Sequence, residues 1–167
     1  MANLRCYVDA TALIGLARIG RLDLLALLPT PVYVTEWVWA EVTGDPTKPG
    51  VTALEHARGE ELLLVVDEGD PQAFPPLDPG ESTVLSAAAA THAAVLIDER
   101  RARALVRTHP ALRVAIRERA GVVGLVLFAK TRGHVSTARP LLDDLIRQGF
   151  RISRALYEDA LRKAGER

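Results

Sequence analysis

Residues 94–105 read AVLIDERRARAL. Four apolar residues stop at two carboxylates, Asp98 and Glu99, and a charged stretch with Arg100, Arg101 and Arg103 follows. An unbroken apolar run this short suits a strand buried on both faces, as in a parallel sheet covered by helices. ELLLVV at 61–66 has the same character, and LRCYV at 4–8 and PVYV at 31–34 read as two more strands. Stretches at 11–18, 21–28, 36–43, 51–58 and 80–92 carry helical spacing, and Thr35 is a good cap for the third of them. Strands alternating with helices predict an α/β fold: a three-layer α/β/α sandwich with a central, mainly parallel sheet. Beyond 94–97 the pattern predicts a helix to about 108 and a fifth strand in 112–116 or 121–124. Helices near 125–132, 138–148 and 154–164 complete the chain, which at 167 residues is expected to form one domain over 1–167.

The bulk numbers narrow the function. Apolar residues make up 49% and charged residues 25%, which is globular rather than disordered. Lys plus Arg and Asp plus Glu are 21 each, so bulk positive charge is not a means of holding nucleic acid. The charge is uneven, because residues 100–119 carry seven arginines against the single acid Glu118. Such a stretch is either a solvated helix face or a patch facing phosphate. Cys6 is the only cysteine, which rules out an internal disulfide and a cysteine-based zinc site. His56, His92, His109 and His134 are scattered. The N-terminal MANLRCYVDA lacks the apolar core of a secretion signal, and no run reaches the ~18–20 apolar residues of a membrane span. The expectation is a cytoplasmic protein without a membrane partner.

In open parallel sheets, ligands bind beyond the carboxyl ends of the strands. Asp9 follows the first strand and Asp98 and Glu99 follow the fourth. Each alone reads as a helix-capping acid. Together they bring carboxylates to one sheet edge. Glu41 lies three and four residues beyond Val38 and Trp37, on an apolar helix face where an unpaired carboxylate is costly. Asp78-Pro79-Gly80-Glu81 has capping-box spacing, and Val84, Leu85 and Ala88 continue the face of Glu81. Gathered carboxylates raise one another's pKa unless a cation intervenes, and oxygen-only ligands suit Mg²⁺ or Mn²⁺.

Several stretches in order, YVDATALIGLARIGRLDLL, VTEWVWAEV, LDPGESTVLSAAAA, VLIDERRAR, GVVGLVLFAKTRGHV, RPLLDDLIRQGFRIS and YEDALRKAGE, resemble the PIN-domain proteins, in particular a prokaryotic toxin-like branch. The resemblance covers nearly the whole chain. It implies a metal-dependent endoribonuclease acting on single-stranded RNA, with Mg²⁺ or Mn²⁺ as cofactor. It also implies the toxin half of a toxin–antitoxin pair, a protein antitoxin as partner, and a homodimer or higher oligomer.

Carried over residue by residue, the resemblance assigns the first acid to Asp9, the second to Glu41 and the third to Glu81. The fourth falls on Asp98 or Glu99. Thr11 matches a hydroxyl that would orient a carboxylate of the fourth strand, and Arg100, Arg101 and Arg103 would contact RNA phosphates or balance the acids. Two departures stand out: 104–120 is longer than the branch has before its Gly-x-x-Gly, and Val122 replaces a common threonine. They leave open an inactive PIN-like RNA- or protein-binding module. A phosphoacceptor receiver domain, with Asp9, Lys130 and Asp67, is a weaker alternative. Leu141, Leu142, Leu145, Ile146 and Phe150 share a helical face suited to core packing or to a dimer contact.

Overall fold

The computed structural model describes residues 4–167. Residues 1–3, which begin the stretch read for a secretion signal and the expected domain span, lie outside the described residues. The first half runs β1 (Cys6–Val8), α1 (Ala10–Arg18), a 3-10 helix (Leu22–Leu27), β2 (Val32–Thr35), α2 (Glu36–Thr43), α3 (Val51–Gly59) and β3 (Leu63–Val66). The second runs α4 (Pro79–Thr91), β4 (Ala94–Leu96), α5 (Arg100–Thr108), α6 (Pro110–Ala115), β5 (Glu118–Ala120), α7 (Val122–Thr131), α8 (Arg139–Arg147) and α9 (Arg154–Lys163).

The helices start where the sequence supplies acceptors for their free first-turn amides. Asp9 caps α1, Thr35 caps α2, Asp78 and Glu81 close a capping box on α4, Glu99 caps α5 and Ser153 caps α9. Three of these caps are acids that the sequence also nominates for a site.

All strand pairings are parallel, in the order β3-β2-β1-β4-β5. The sheet is sandwiched between helices: α1, α3 and α7 pack together on one side, and α4, α5 and α6 on the other. The apolar strands are buried as their composition demands. Tyr7, Val8, Val95, Leu96 and Ile97 are each 2% exposed or less. Ala87 and Ala88 are buried on α4 and let it approach the sheet closely; larger side chains there would overpack by about 1–3 kcal/mol. Cys6 is buried, and burial pushes its thiol up to about 12, so it behaves as a small inert hydrophobe. Leu141, Leu142 and Leu145 are core residues, whereas Ile146 is exposed. No described helix is long and apolar enough to cross a membrane.

Two local expectations are corrected. The fifth strand is Glu118–Ala120, not 112–116 or 121–124. Residues 110–115 form α6 because His109 accepts the Leu112 amide and Pro110 takes the first helical position. β5 is fully exposed and charged, as suits an edge strand, so no hydrophobic pattern marks it. Residues 21–28 are a 3-10 helix over Leu22–Leu27. The strand order also excludes the receiver reading, whose fold follows the order 2-1-3-4-5. Here β3 is an edge strand, so Asp67 leaves the sheet at its rim.

The strand order reverses between β1 and β4. That switch point is where open α/β sheets bind ligands. Val8 pairs with Leu96, so Asp9 and the Asp98–Glu99 pair emerge level with each other at the same edge.

Candidate active site

Asp9 is the fixed centre of this edge. It is 2% exposed. Its Oδ1 accepts the Ala12 amide at 2.8 Å, and its Oδ2 accepts the amides of Asp98 at 2.8 Å and Glu99 at 3.0 Å. One carboxylate thus joins the start of α1 to the start of α5. Burial raises its pKa despite these three amides, and the nearby Glu99 carboxylate adds to the rise.

α2 and α4 bring two more acids. Thr83 donates to the Gly80 carbonyl at 2.7 Å, so the 2.8 Å contact between the Thr35 and Thr83 hydroxyls takes its proton from Thr35. This buried pair ties the end of β2 to the first turn of α4. At the same junction a Cβ on Gly80 would stand 3.3 Å from Glu41 Oε2 and 3.7 Å from Val38. Glycine therefore leaves room for the Glu41 carboxylate against α4. Burial of that end raises its pKa, and Asp78, Asp9 and Glu99 raise it further. Glu81 Oε2 accepts the Asp78 amide at 3.2 Å. Burial pushes Glu81 up to about 7, with Asp78, Glu99 and Asp9 contributing. Sequence reasoning saw Asp78 only as a cap, although its place beside Glu81 was the available clue.

The two acids after β4 part company. Glu99 acts on Asp9, Glu41 and Glu81 alike. Asp98 turns toward α7, where its Oδ2 accepts the Val122 amide at 2.9 Å. Burial and then Asp9 push Asp98 up to about 7, while the Arg103 guanidinium pulls the other way. The backbone of Val122 thus makes the contact, and its side chain is fully buried, an environment in which an apolar residue fits.

The remaining nominated residues divide. Thr11 and Arg100 line a cleft of about 900 Å³ that also includes Asp98 and Glu99. Among the described residues, the Thr11 hydroxyl makes no hydrogen bond to either carboxylate. Arg103 lines a separate hollow with Arg107 and Arg119. Arg101 is exposed and contributes its amide to the Glu99 cap. Sequence reasoning missed Arg18, Phe150 and Arg151, which share the 900 Å³ cleft.

The PIN-domain family matches residues 6–166. The chain belongs to the PIN-domain family. No match arises among curated proteins, and none among solved structures. PIN domains are generally nucleases and typically use divalent metals.

Among the described residues of this PIN domain, no group of three or more Asp, Glu, His or Cys side chains is arranged to hold a metal ion. The chemistry of the donor set nonetheless fits a hard cation. Asp9, Glu41, Glu81 and Glu99 offer oxygen only. Among the described residues no lysine or arginine forms an ion pair with any of them. The Glu41 carboxylate makes no hydrogen bond among the described residues, and one oxygen of Glu81 lies outside its cap. Acids set apart in this way suit an ion that keeps several of its waters, as Mg²⁺ does.

Proposed function

We propose that this PIN domain is a Mg²⁺- or Mn²⁺-dependent endoribonuclease that cuts single-stranded RNA. One observation carries the reading. Asp9, Glu41, Glu81 and Glu99, from four separate elements, lie close enough for their charges to act on one another, and burial and this repulsion raise three of them. A folded protein tolerates that arrangement at neutral pH when a cation or a proton offsets the charge.

A bound divalent ion would neutralise a phosphodiester and acidify a water molecule. Asp9, immobilised by three amides, sets the position of the centre. Glu41, and the Glu99 oxygen not engaged by the Arg101 amide, would hold the ion with it. Glu81 would accept a proton from an attacking water on the oxygen not engaged by Asp78. Asp98 holds the N-terminus of α7 and so positions the wall of the site. Incubation with RNA oligonucleotides and Mn²⁺ tests the reading. Wild-type protein should cleave and Glu41→Gln should not; equal cleavage by both would remove Glu41 from the site.

A role as the toxin of a toxin–antitoxin pair belongs to the same proposal. Induced expression should then arrest growth, and the Glu41→Gln protein should not.

The absence of a ready metal-holding group among the described residues favours a second reading, a catalytically inactive module that binds RNA or protein. Calorimetric titration with Mn²⁺ separates the two. Heat of binding that Glu41→Gln abolishes supports the enzyme, and no binding at millimolar Mn²⁺ supports the module.

A further inference from the structure

The 900 Å³ cleft beside the acids is lined by charges of both signs. Asp98 and Glu99, whose amides bond Asp9, supply the negative part of the lining. Arg18 from α1, Arg100 from α5 and Arg151 from the loop between α8 and α9 line the rest. Ile14 and Phe150 give the cleft its apolar floor.

That floor is built in. The Phe150 amide donates to the Leu145 carbonyl at 2.9 Å, which anchors the loop. Arg18 Nη1 donates to the Gln148 carbonyl at 3.3 Å and bridges the two walls. A Cβ on Gly15 would stand 2.7 Å from the Phe150 ring, so only glycine lets the ring lie against α1. The volume falls within the range of ligand sites. Three guanidiniums and an aromatic ring lining one cleft match a chain of phosphates carrying planar bases.

We propose that this cleft seats the nucleotides next to the cleaved bond, with Arg18, Arg100 and Arg151 on phosphates and a base against Phe150. The proposal rests on the ribonuclease reading, since Asp98 and Glu99 in the lining join the cleft to the acids at the sheet edge. It adds a specificity-determining surface formed by the α8–α9 loop.

The test is fluorescence anisotropy of a labelled single-stranded RNA oligonucleotide in EDTA, where no metal-dependent cleavage occurs, over a range of salt. Each lost phosphate contact should flatten the plot of log K against log salt by about 0.7. Arg151→Ala alone, whose side chain makes no hydrogen bond among the described residues, should lose about one such step. Arg18→Ala with Arg151→Ala should lose about two, and bind about fivefold or more weakly at low salt. Arg113→Ala with Arg117→Ala, near the opposite edge of the sheet, should leave the slope unchanged. An unchanged slope in the first pair, an equal loss in the second, or no RNA binding by the wild type overturns the proposal.

A 2-aminopurine reporter tests the base contact. Its quenching should survive Phe150→Tyr and be lost in Phe150→Leu; equal quenching in all three proteins overturns that contact. Arginine-dependent binding without cleavage in Mn²⁺ would defeat the ribonuclease reading and leave the cleft as an RNA site. Cleavage by a wild type whose binding ignores Arg18 and Arg151 would do the reverse.

Discussion

Asp9 Oδ2 accepts the backbone amide of Asp98 at 2.8 Å, across 89 positions of sequence. Its other oxygen is taken as well, by the Ala12 amide. Asp9→Asn must therefore turn an NH₂ group toward at least one amide, whichever way it flips. The expected result is a loss of about 1–3 kcal/mol of stability together with any loss of activity. Denaturant unfolding of the variant measures it, and an unchanged midpoint would contradict the hydrogen-bond account.

Glu41 behaves in the opposite way. Its carboxylate makes no hydrogen bond among the described residues and is raised by burial and by Asp78, Asp9 and Glu99. Glu41→Gln removes a repelling charge and breaks no bond. It should abolish cleavage while keeping or raising the melting temperature without metal. Sites that spend stability on function show this pattern. A clear fall in melting temperature would mean that Glu41 is structural.

The acids set how stability depends on pH. Asp98 and Glu81 are pushed up to about 7, chiefly by burial, so the folded protein holds protons that the unfolded chain releases. Their contribution is fully present below the ordinary carboxylate range and is lost as pH rises through about 7. Glu166 has the reverse sign. The Ala138 amide foremost, with Lys130 and the Arg139 amide, lowers it to about 2, so its contribution is present above the ordinary range and lost as pH falls toward about 2. Metal-free protein should melt higher near pH ~5 than near pH ~8, and Mn²⁺ should narrow the gap. Thermal melts in EDTA at several pH values decide it; a flat or rising trend over that interval would contradict the buried acids.

Gly121 and Gly124 look alike in GVVG but should respond differently. Gly121 has φ −117° and ψ 179°, extended backbone open to any residue. Space is what forbids a side chain: a Cβ would stand 2.5 Å from Asp98 Oδ1 and 3.4 Å from Arg103. Gly121→Ala should displace Asp98 from the Val122 amide and cost about 1–3 kcal/mol. Gly124 is an exposed helix position whose nearest neighbour would be 3.9 Å away, so Gly124→Ala should stabilise by up to about 1 kcal/mol. Unfolding of the two variants side by side checks both signs.

Four strands and the parallel architecture were legible because buried strands such as 94–97 are written in unbroken apolar residues. β5 was not, since Glu118, Arg119 and Ala120 join the sheet only through backbone pairing with β4. The acids at the strand ends were legible as a set, and their capping roles were legible too. Asp9, Glu81 and Glu99 do both jobs, because a helix start at a sheet edge needs an acceptor and presents a carboxylate. That Asp98 bonds the Val122 amide while Glu99 caps α5 is a difference no local pattern reveals. The membership of Arg18, Phe150 and Arg151 in one cleft was equally hidden. It follows from tertiary packing of the α8–α9 loop on Gly15, some 135 positions earlier in the chain.

The bonds that hold Asp9 also fix when the centre can exist. Its partners at 98 and 99, and the amide at 122 that steadies Asp98, all lie downstream. A ribosome releasing the chain from its N-terminus exposes Asp9 early, but the polypeptide stays without an assembled centre until the second half has emerged and folded. The long sequence separation thus acts as a clock, since the acids come together only after both halves of the chain have been made.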